Sequence, residues 1–182
     1  MEGISVSRIF VLILLMETLQ IVYFQIGSST INVKEILKVE TEKMFSKQDY
    51  QYFKKANQIA NISDFPKVHI GCVAVYQGNI IGVGCNSNKT HPIQDYYNSY
   101  RLHNQSSVFS AKLHAEISCL LSIKDMNLNF SKVKLYIFRN MKDKSFGMCR
   151  PCPSCMAMIK DLGIRHIYYT SDTGFIYEKV GE

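Results

Sequence analysis

Two short fragments hold side chains able to do chemistry at a metal: His114-Ala115-Glu116 and Pro151-Cys152-Pro153-Ser154-Cys155. Cys152 and Cys155 are three residues apart, so one helical turn brings both sulfurs to the same side. Pro153 suits the first position of a helix capped by Cys152. The free N–H groups and positive end of such a helix favour thiolate over thiol, the form a metal requires. His114, opening its own helix, can supply a third donor through nitrogen. Three protein donors leave one tetrahedral position open, as catalytic zinc sites do, and such a metal brings the pKa of bound water to about 7. Glu116 points away from His114 on a helix; it need not be a ligand and can stand beside the metal as a proton carrier. Cys149, three residues before Cys152, reads as a spare thiol.

These fragments need elements to hold them, and the body of the chain supplies an α/β pattern. Ser46 is a fitting N-cap for a helix running to Asn61, with Tyr50, Phe53, Ala56 and Ala60 at helical spacing. Residues 69–76 (HIGCVAVY) and 80–86 (IIGVGCN) are β-rich runs joined by Gln77-Gly78-Asn79, a hairpin signal. The pattern predicts a helix over residues 113–124, a strand over 133–139, a helix over 152–162 stopped by Gly163, and a strand over 164–170. Strands alternating with helices imply a parallel or mixed sheet with helices on both faces. Residues 87–112 show no clear period and read as a long loop. That loop holds His91 and His103, which with Cys85 could make a second metal site, and Tyr96, Tyr97 and Tyr100, which could stack on a base. Packing or solvent exposure of these side chains is the plainer reading.

Length and composition fit one globular domain with an appendage. The 182 residues are 47% hydrophobic, too apolar for a disordered chain, with too few Gly and Pro for a low-complexity one. Residues 1–44 carry a net charge of −1 and residues 45–182 a net of +7, which suits an anionic ligand without naming it. Of six cysteines, Cys72 and Cys119 lie in apolar runs and three cluster by the prolines, a pattern of metal binding in a reducing, cytoplasmic compartment rather than of disulfides. Residues 9–26 form an apolar run broken by Glu17, Gln20 and Gln25. It admits three readings: a membrane-associated helix, a signal or packing helix, or translation upstream of a start near Met44. Residues 1–44 are therefore set apart as an extension, and 45–182 as the working domain.

With its His-x-Glu and Pro-Cys-x-x-Cys fragments in this order, each opening a helix after strand-like sequence, the chain resembles the zinc-dependent cytidine and deoxycytidylate deaminases over residues 46–178. The resemblance implies a three-layer α/β/α cytidine deaminase-like fold around a mixed, mostly parallel sheet of about five strands. It also implies hydrolytic deamination of a cytosine nucleotide or nucleoside, dCMP to dUMP foremost, usually by a homo-oligomer. His114, Cys152 and Cys155 would then hold one Zn2+. Glu116 would move protons from the attacking water to the ring nitrogen and to the departing ammonia. Asn86 would hydrogen-bond the sugar or base, and the N–H of Ala115 would meet the pyrimidine edge. Arg150, with Arg139, Lys142 and Lys144, makes a basic cluster able to meet a 5′-phosphate.

Two other functions stand beside this one. Deamination of adenosine in transfer RNA would use the same metal chemistry, and the positive body would help hold the nucleic acid. A non-catalytic zinc module or a redox Cys-x-x-Cys pair would explain the cysteines, although neither needs His-x-Glu upstream.

Overall fold

The computed structural model describes residues 23–26, 29–32, 45–101, 111–141 and 147–181. The chain divides into two compact units, Met1–Ser46 and Lys47–Glu182. In the first, β1 (Tyr23–Ile26) pairs antiparallel with β2 (Ser29–Asn32), in register Tyr23 to Asn32. Of the run 9–26, the described part, Tyr23–Ile26, is strand and not helix, in keeping with aromatic and β-branched residues that favour extended chain. The rest of that apolar run, and Met44, lie outside the described residues. No helix among the described residues is long and apolar enough to cross a membrane.

The second unit runs α1 (Lys47–Ala60), β3 (His69–Tyr76), β4 (Asn79–Cys85), α2 (Pro92–Asn98), α3 (Ala115–Leu121), β5 (Lys134–Asn140), α4 (Pro153–Asp161), β6 (His166–Ser171) and β7 (Gly174–Lys179). Its five strands lie in the order β4-β3-β5-β6-β7. The expected mixed sheet of five strands is present, but it is not mostly parallel. Only β5 and β6 run parallel; β3/β4, β3/β5 and β6/β7 are antiparallel. Two tight hairpins are responsible. Gln77 and Gly78 turn β3 into β4, both with positive φ, as a two-residue hairpin turn demands. Asp172 and Thr173 turn β6 into β7, a strand that the sequence pattern did not suggest. Helices serve the crossovers between strands that run the same way: α4 joins β5 to its parallel neighbour β6, and α2 and α3 lie between β4 and β5, on either side of β3.

Side-chain alternation along the strands makes two buried faces. Cys72, Ala74, Leu135, Ile137, Ile167 and Tyr169 face α3 and α4 in one continuous core with Ile117, Leu120, Met158 and Ile159. On the other face, Val73 and Tyr136 lie opposite each other in register, and Phe53 of α1 packs edge-on to Tyr136 with ring centroids 5.5 Å apart. The inward stripe of α1 is Tyr52, Phe53, Ala56 and Ala60, with Tyr52 rather than Tyr50 turned in. Gly71 of β3 lets α1 lie close, since a Cβ there would strike Ala56 O and Ala60 N. Helices thus cover both sheet faces, giving three layers.

Candidate metal and active site

His114 and Cys152 sit at equivalent places in two helices, as the N-cap residues of α3 and α4, both with extended backbone and neither using its side chain for capping. Pro153 opens α4 as expected, and Gly163 ends it with φ of 77°. The two helix starts converge. His114 Nδ1 lies 3.5 Å from Cys152 Sγ and 3.3 Å from Cys155 Sγ, and the two sulfurs are 3.7 Å apart. These three residues form the one such donor group among the described residues.

The spacing can be compared with what zinc requires. Tetrahedral zinc with Zn–S of about 2.3 Å and Zn–N of about 2.0–2.1 Å has donor–donor edges of about 3.8 Å for S···S and 3.6 Å for S···N. The three edges here differ from those values by no more than a few tenths of an ångström. The donor set, one imidazole and two thiols, fits zinc in number, chemistry and spacing.

Electrostatics divide the two sulfurs. A side-chain hydrogen bond with Cys155 holds Cys152 down to about 2, against the effect of its burial and with help from His114. Burial pushes Cys155 well up. Burial opposes the charged form of His114, yet its bond with Cys152 and the nearby Glu116 leave its pKa raised. Glu116, on the first turn of α3, is 5% exposed and reaches Cys155; burial raises its pKa despite the opposing pull of His114. It keeps a proton longer than an exposed carboxyl would.

Close packing places this helix start. A Cβ on Gly84 of β4 would strike the Cys119 amide nitrogen and stand 2.7 Å from Ala115 O and from Ser118 C. Bare backbone at Gly84 therefore lets α3 settle onto the sheet edge, carrying His114, Ala115 and Glu116 with it.

The other residues marked in the sequence are spread more widely. Ala115 is fully buried at the first position of α3. Asn86 is buried just beyond β4; Oδ1 accepts from Ile70 N (2.8 Å) and Ser63 Oγ (2.8 Å), and Nδ2 donates to Val68 O (2.6 Å). Its side chain thus stitches the loop 63–68 and the start of β3 to the end of β4. Arg150 spends its fork on Glu178 of β7, in two bonds of 2.7 Å. Arg139 donates to Met148 O (3.1 Å); Lys142 and Lys144 lie outside the described residues. Cys149 is no donor to the metal cluster: its Sγ lies 3.0 Å from Thr170 Oγ1 and 3.3 Å from Ile137 O, pinning β5 to β6, and burial pushes its thiol up to about 12. His91 caps α2, its Nδ1 accepting from Ile93 N, while His103 lies outside the described residues.

Helix α2 is what the sequence reading missed, and with it a set of site residues. Gln94 and Asn98 are buried. Gln94 Oε1 accepts the His114 N–H (3.0 Å) and its Nε2 donates to Asn98 Oδ1 (3.0 Å), which also accepts from Ser154 Oγ (3.1 Å). Arg101, past the end of α2, donates from Nε to Ser154 Oγ (2.7 Å) and from Nη2 to Cys152 Sγ (3.1 Å). Tyr97 joins α2 to α4 through Asp161 (3.0 Å), and its ring clusters with the exposed Tyr96 and Tyr100. The available signal was His91-Pro92, a capping residue followed by proline, with Gln94 and Asn98 four apart.

The family model of the cytidine and deoxycytidylate deaminase zinc-binding region matches residues 46–171. Among solved structures, the dCMP deaminase of cyanophage S-TIM5 is 21% identical, with 71% of this chain and 89% of that one covered and a TM-score of 0.50. The cytidine deaminase of Burkholderia pseudomallei is 13% identical, with 74% and 93% covered and a TM-score of 0.52. Both have the fold of this chain's second unit. Sequence comparison with curated proteins gives no match. Since the family model spans well over half of the sequence and brackets both helix starts, the chain belongs to the cytidine and deoxycytidylate deaminases, zinc-dependent hydrolases that remove the amino group of cytosine.

Proposed function

We propose that the chain converts a cytosine nucleotide or nucleoside, dCMP foremost, into its uracil counterpart and ammonia. The observation that supports this best is the convergence of His114 Nδ1, Cys152 Sγ and Cys155 Sγ from two helix starts beside the buried Glu116. In this reading those three donors hold one zinc ion. When bound, zinc lowers the pKa of water to about 7 and so makes it a nucleophile at neutral pH.

The remaining steps belong to the chain's own residues. Glu116 takes a proton from the attacking water and delivers it to ring N3 as the bond from oxygen to C4 forms. It then carries the second water proton to the amino group, so that the C4–N bond breaks, ammonia leaves and C4 becomes a carbonyl. The Ala115 N–H, at the start of α3, donates to the pyrimidine edge. Asn86 offers the sugar the Nδ2–H that its bond to Val68 leaves over. Arg150 meets a 5′-phosphate by exchanging one fork-fitting anion, the Glu178 carboxylate, for another. That a dCMP deaminase shares this fold is in keeping with a monophosphate substrate. Six free cysteines, thiolate ligands among them, suit the cytoplasm, and a homo-oligomer is part of the reading.

Ammonia release from dCMP, CMP, deoxycytidine, cytidine and a transfer RNA, measured side by side, tests the substrate. The expected order puts dCMP first; release from the RNA alone would overturn it. Glu116→Gln is expected to lose at least about 100-fold in kcat, the low end for losing a general acid–base group, while still binding one zinc. Near-full activity of that variant would sink the mechanism.

A further inference from the structure

The hydrogen bonds from α2 do not spread at random; they form a chain that begins and ends on the proposed metal donors. It runs from the His114 N–H to Gln94, from Gln94 to Asn98, from Ser154 to the same Asn98 oxygen, and from Arg101 to both Ser154 and Cys152. Every link is 3.1 Å or shorter. The chain therefore ties the helix start bearing His114 to the one bearing Cys152 and Cys155. Gln94 and Ser154 are fully buried and Asn98 is 5% exposed, so these bonds are made away from solvent and are stronger for it.

Arg101 closes the chain, and its guanidinium has the shape for this. A planar fork can hold an oxygen with Nε and a sulfur with Nη2 at fixed separation, which a lysine cannot do. The contact between Arg101 Nη2 and His114 Nε2, at 3.4 Å, is of a different kind. If Nδ1 faces a metal, Nε2 keeps its proton, and two donors face each other. What Arg101 supplies is therefore directed at Cys152. It gives that thiolate a hydrogen-bond partner and a fixed direction, and sets a positive charge beside it.

We propose that Arg101 is a positioning residue of the metal centre, held by Ser154 at the end of the Gln94–Asn98 chain, and that it sets the zinc affinity by aiming Cys152. This rests on the reading of His114, Cys152 and Cys155 as the zinc donors. Loss of a partner that orients a metal ligand costs about 10–100-fold in affinity.

The test uses the full chain and zinc itself, titrated in competition with a chromophoric chelator. Arg101→Gln should weaken zinc about tenfold or more. Arg101→Lys, which keeps the charge but not the fork, should also weaken it; a parent-like lysine variant overturns the proposal. Ser154→Ala should weaken zinc without removing any donor. Combined with Arg101→Gln, it should add little, because both break the same chain. A second readout is the sulfur-to-cobalt absorption band of the cobalt-loaded chain. It should move to lower energy in Arg101→Gln, since a thiolate stripped of a hydrogen bond gives up charge more readily. Zinc affinity within twofold of the parent, an unmoved band, or effects that simply multiply would each overturn the proposal. A parent chain that binds no zinc brings down the donor reading itself, whereas a parent that binds one zinc alongside an unaffected Arg101→Gln brings down this inference alone.

Discussion

Gly84→Ala places one methyl group where the fold has no room for it, and its cost can be worked out. The new Cβ would stand 2.7 Å from Ala115 O and from Ser118 C, and closer still to the Cys119 amide nitrogen. These are backbone atoms of α3, so no side chain can swing aside. Restoring ordinary contact, at about 3.5–4.0 Å between heavy atoms, requires α3 to lift by about 1 Å. Overpacking of this kind costs roughly 1–3 kcal/mol of stability. The larger effect should fall on turnover, because the first turn of α3 presents His114, Ala115 and Glu116 together. A displacement of about 1 Å in catalytic groups costs on the order of 100-fold in rate. Gly82→Ala is the matched control. Its Cβ would meet Ile123 Cγ2 at 2.5 Å and Ser122 Oγ at 2.7 Å, side-chain atoms past the far end of the same helix. It should lower the melting temperature while keeping kcat within a few-fold. Both variants would be assayed for kcat with the best substrate, for zinc content and for Tm. Equal losses of kcat in the two, or a Gly84→Ala enzyme with parental kcat, would refute the claim that bare backbone at Gly84 seats α3 and the proposed site residues on it.

Two further predictions concern pH. Tyr136 is buried between α1 and the sheet and donates to Asp49 Oδ1 at 2.6 Å; burial first, then that carboxylate, pushes its pKa far up. A raised folded-state pKa stabilises fully below the unfolded value of about 10 and is lost as pH rises beyond it, by about 1.4 kcal/mol per pH unit. Denaturant midpoints above pH 10 should therefore fall more steeply for the parent than for Tyr136→Phe; parallel curves would dismiss the idea. Glu178 has the opposite sign: the hydrogen bond from Arg150 lowers its pKa, so its contribution is present above about pH 4.3 and fades as pH falls through the lowered value. Being partly exposed, the pair should be worth about 1 kcal/mol or less, so Glu178→Gln should differ slightly from the parent at pH 7 and not at pH 3. A gap that widens in acid would contradict the pairing.

The elements that were legible in the sequence are those whose inward face is apolar. Phe53, Ala56 and Ala60 marked α1, and the alternating residues of β3 and β5 marked strands that end within two residues of their expected bounds. The two metal fragments were legible for another reason: caps and prolines announce helix starts, and both fragments sit at one. Strand direction was not legible, because alternation says which face a residue takes and nothing about which way its neighbour runs. The hairpin into β7 shows the same limit, since its strand has no fully buried residue to reveal it.

Helix α2 was hidden for a reason tied to function. A helix that packs on a hydrophobic core declares itself through apolar periodicity. This one turns Gln94 and Asn98 inward because what it faces is a helix start with an unpaired N–H and a serine at the next, which carbon cannot satisfy. The groups that hold a metal site in place are polar wherever they meet its ligands, so the support around a site leaves no hydrophobic trace. The trace it does leave is polar residues at helical spacing after a capping residue and a proline, close in sequence to a donor motif. In this chain His91-Pro92, Gln94, Asn98 and Arg101 follow that spacing, and it leads from the start of α2 to the Cys152 sulfur.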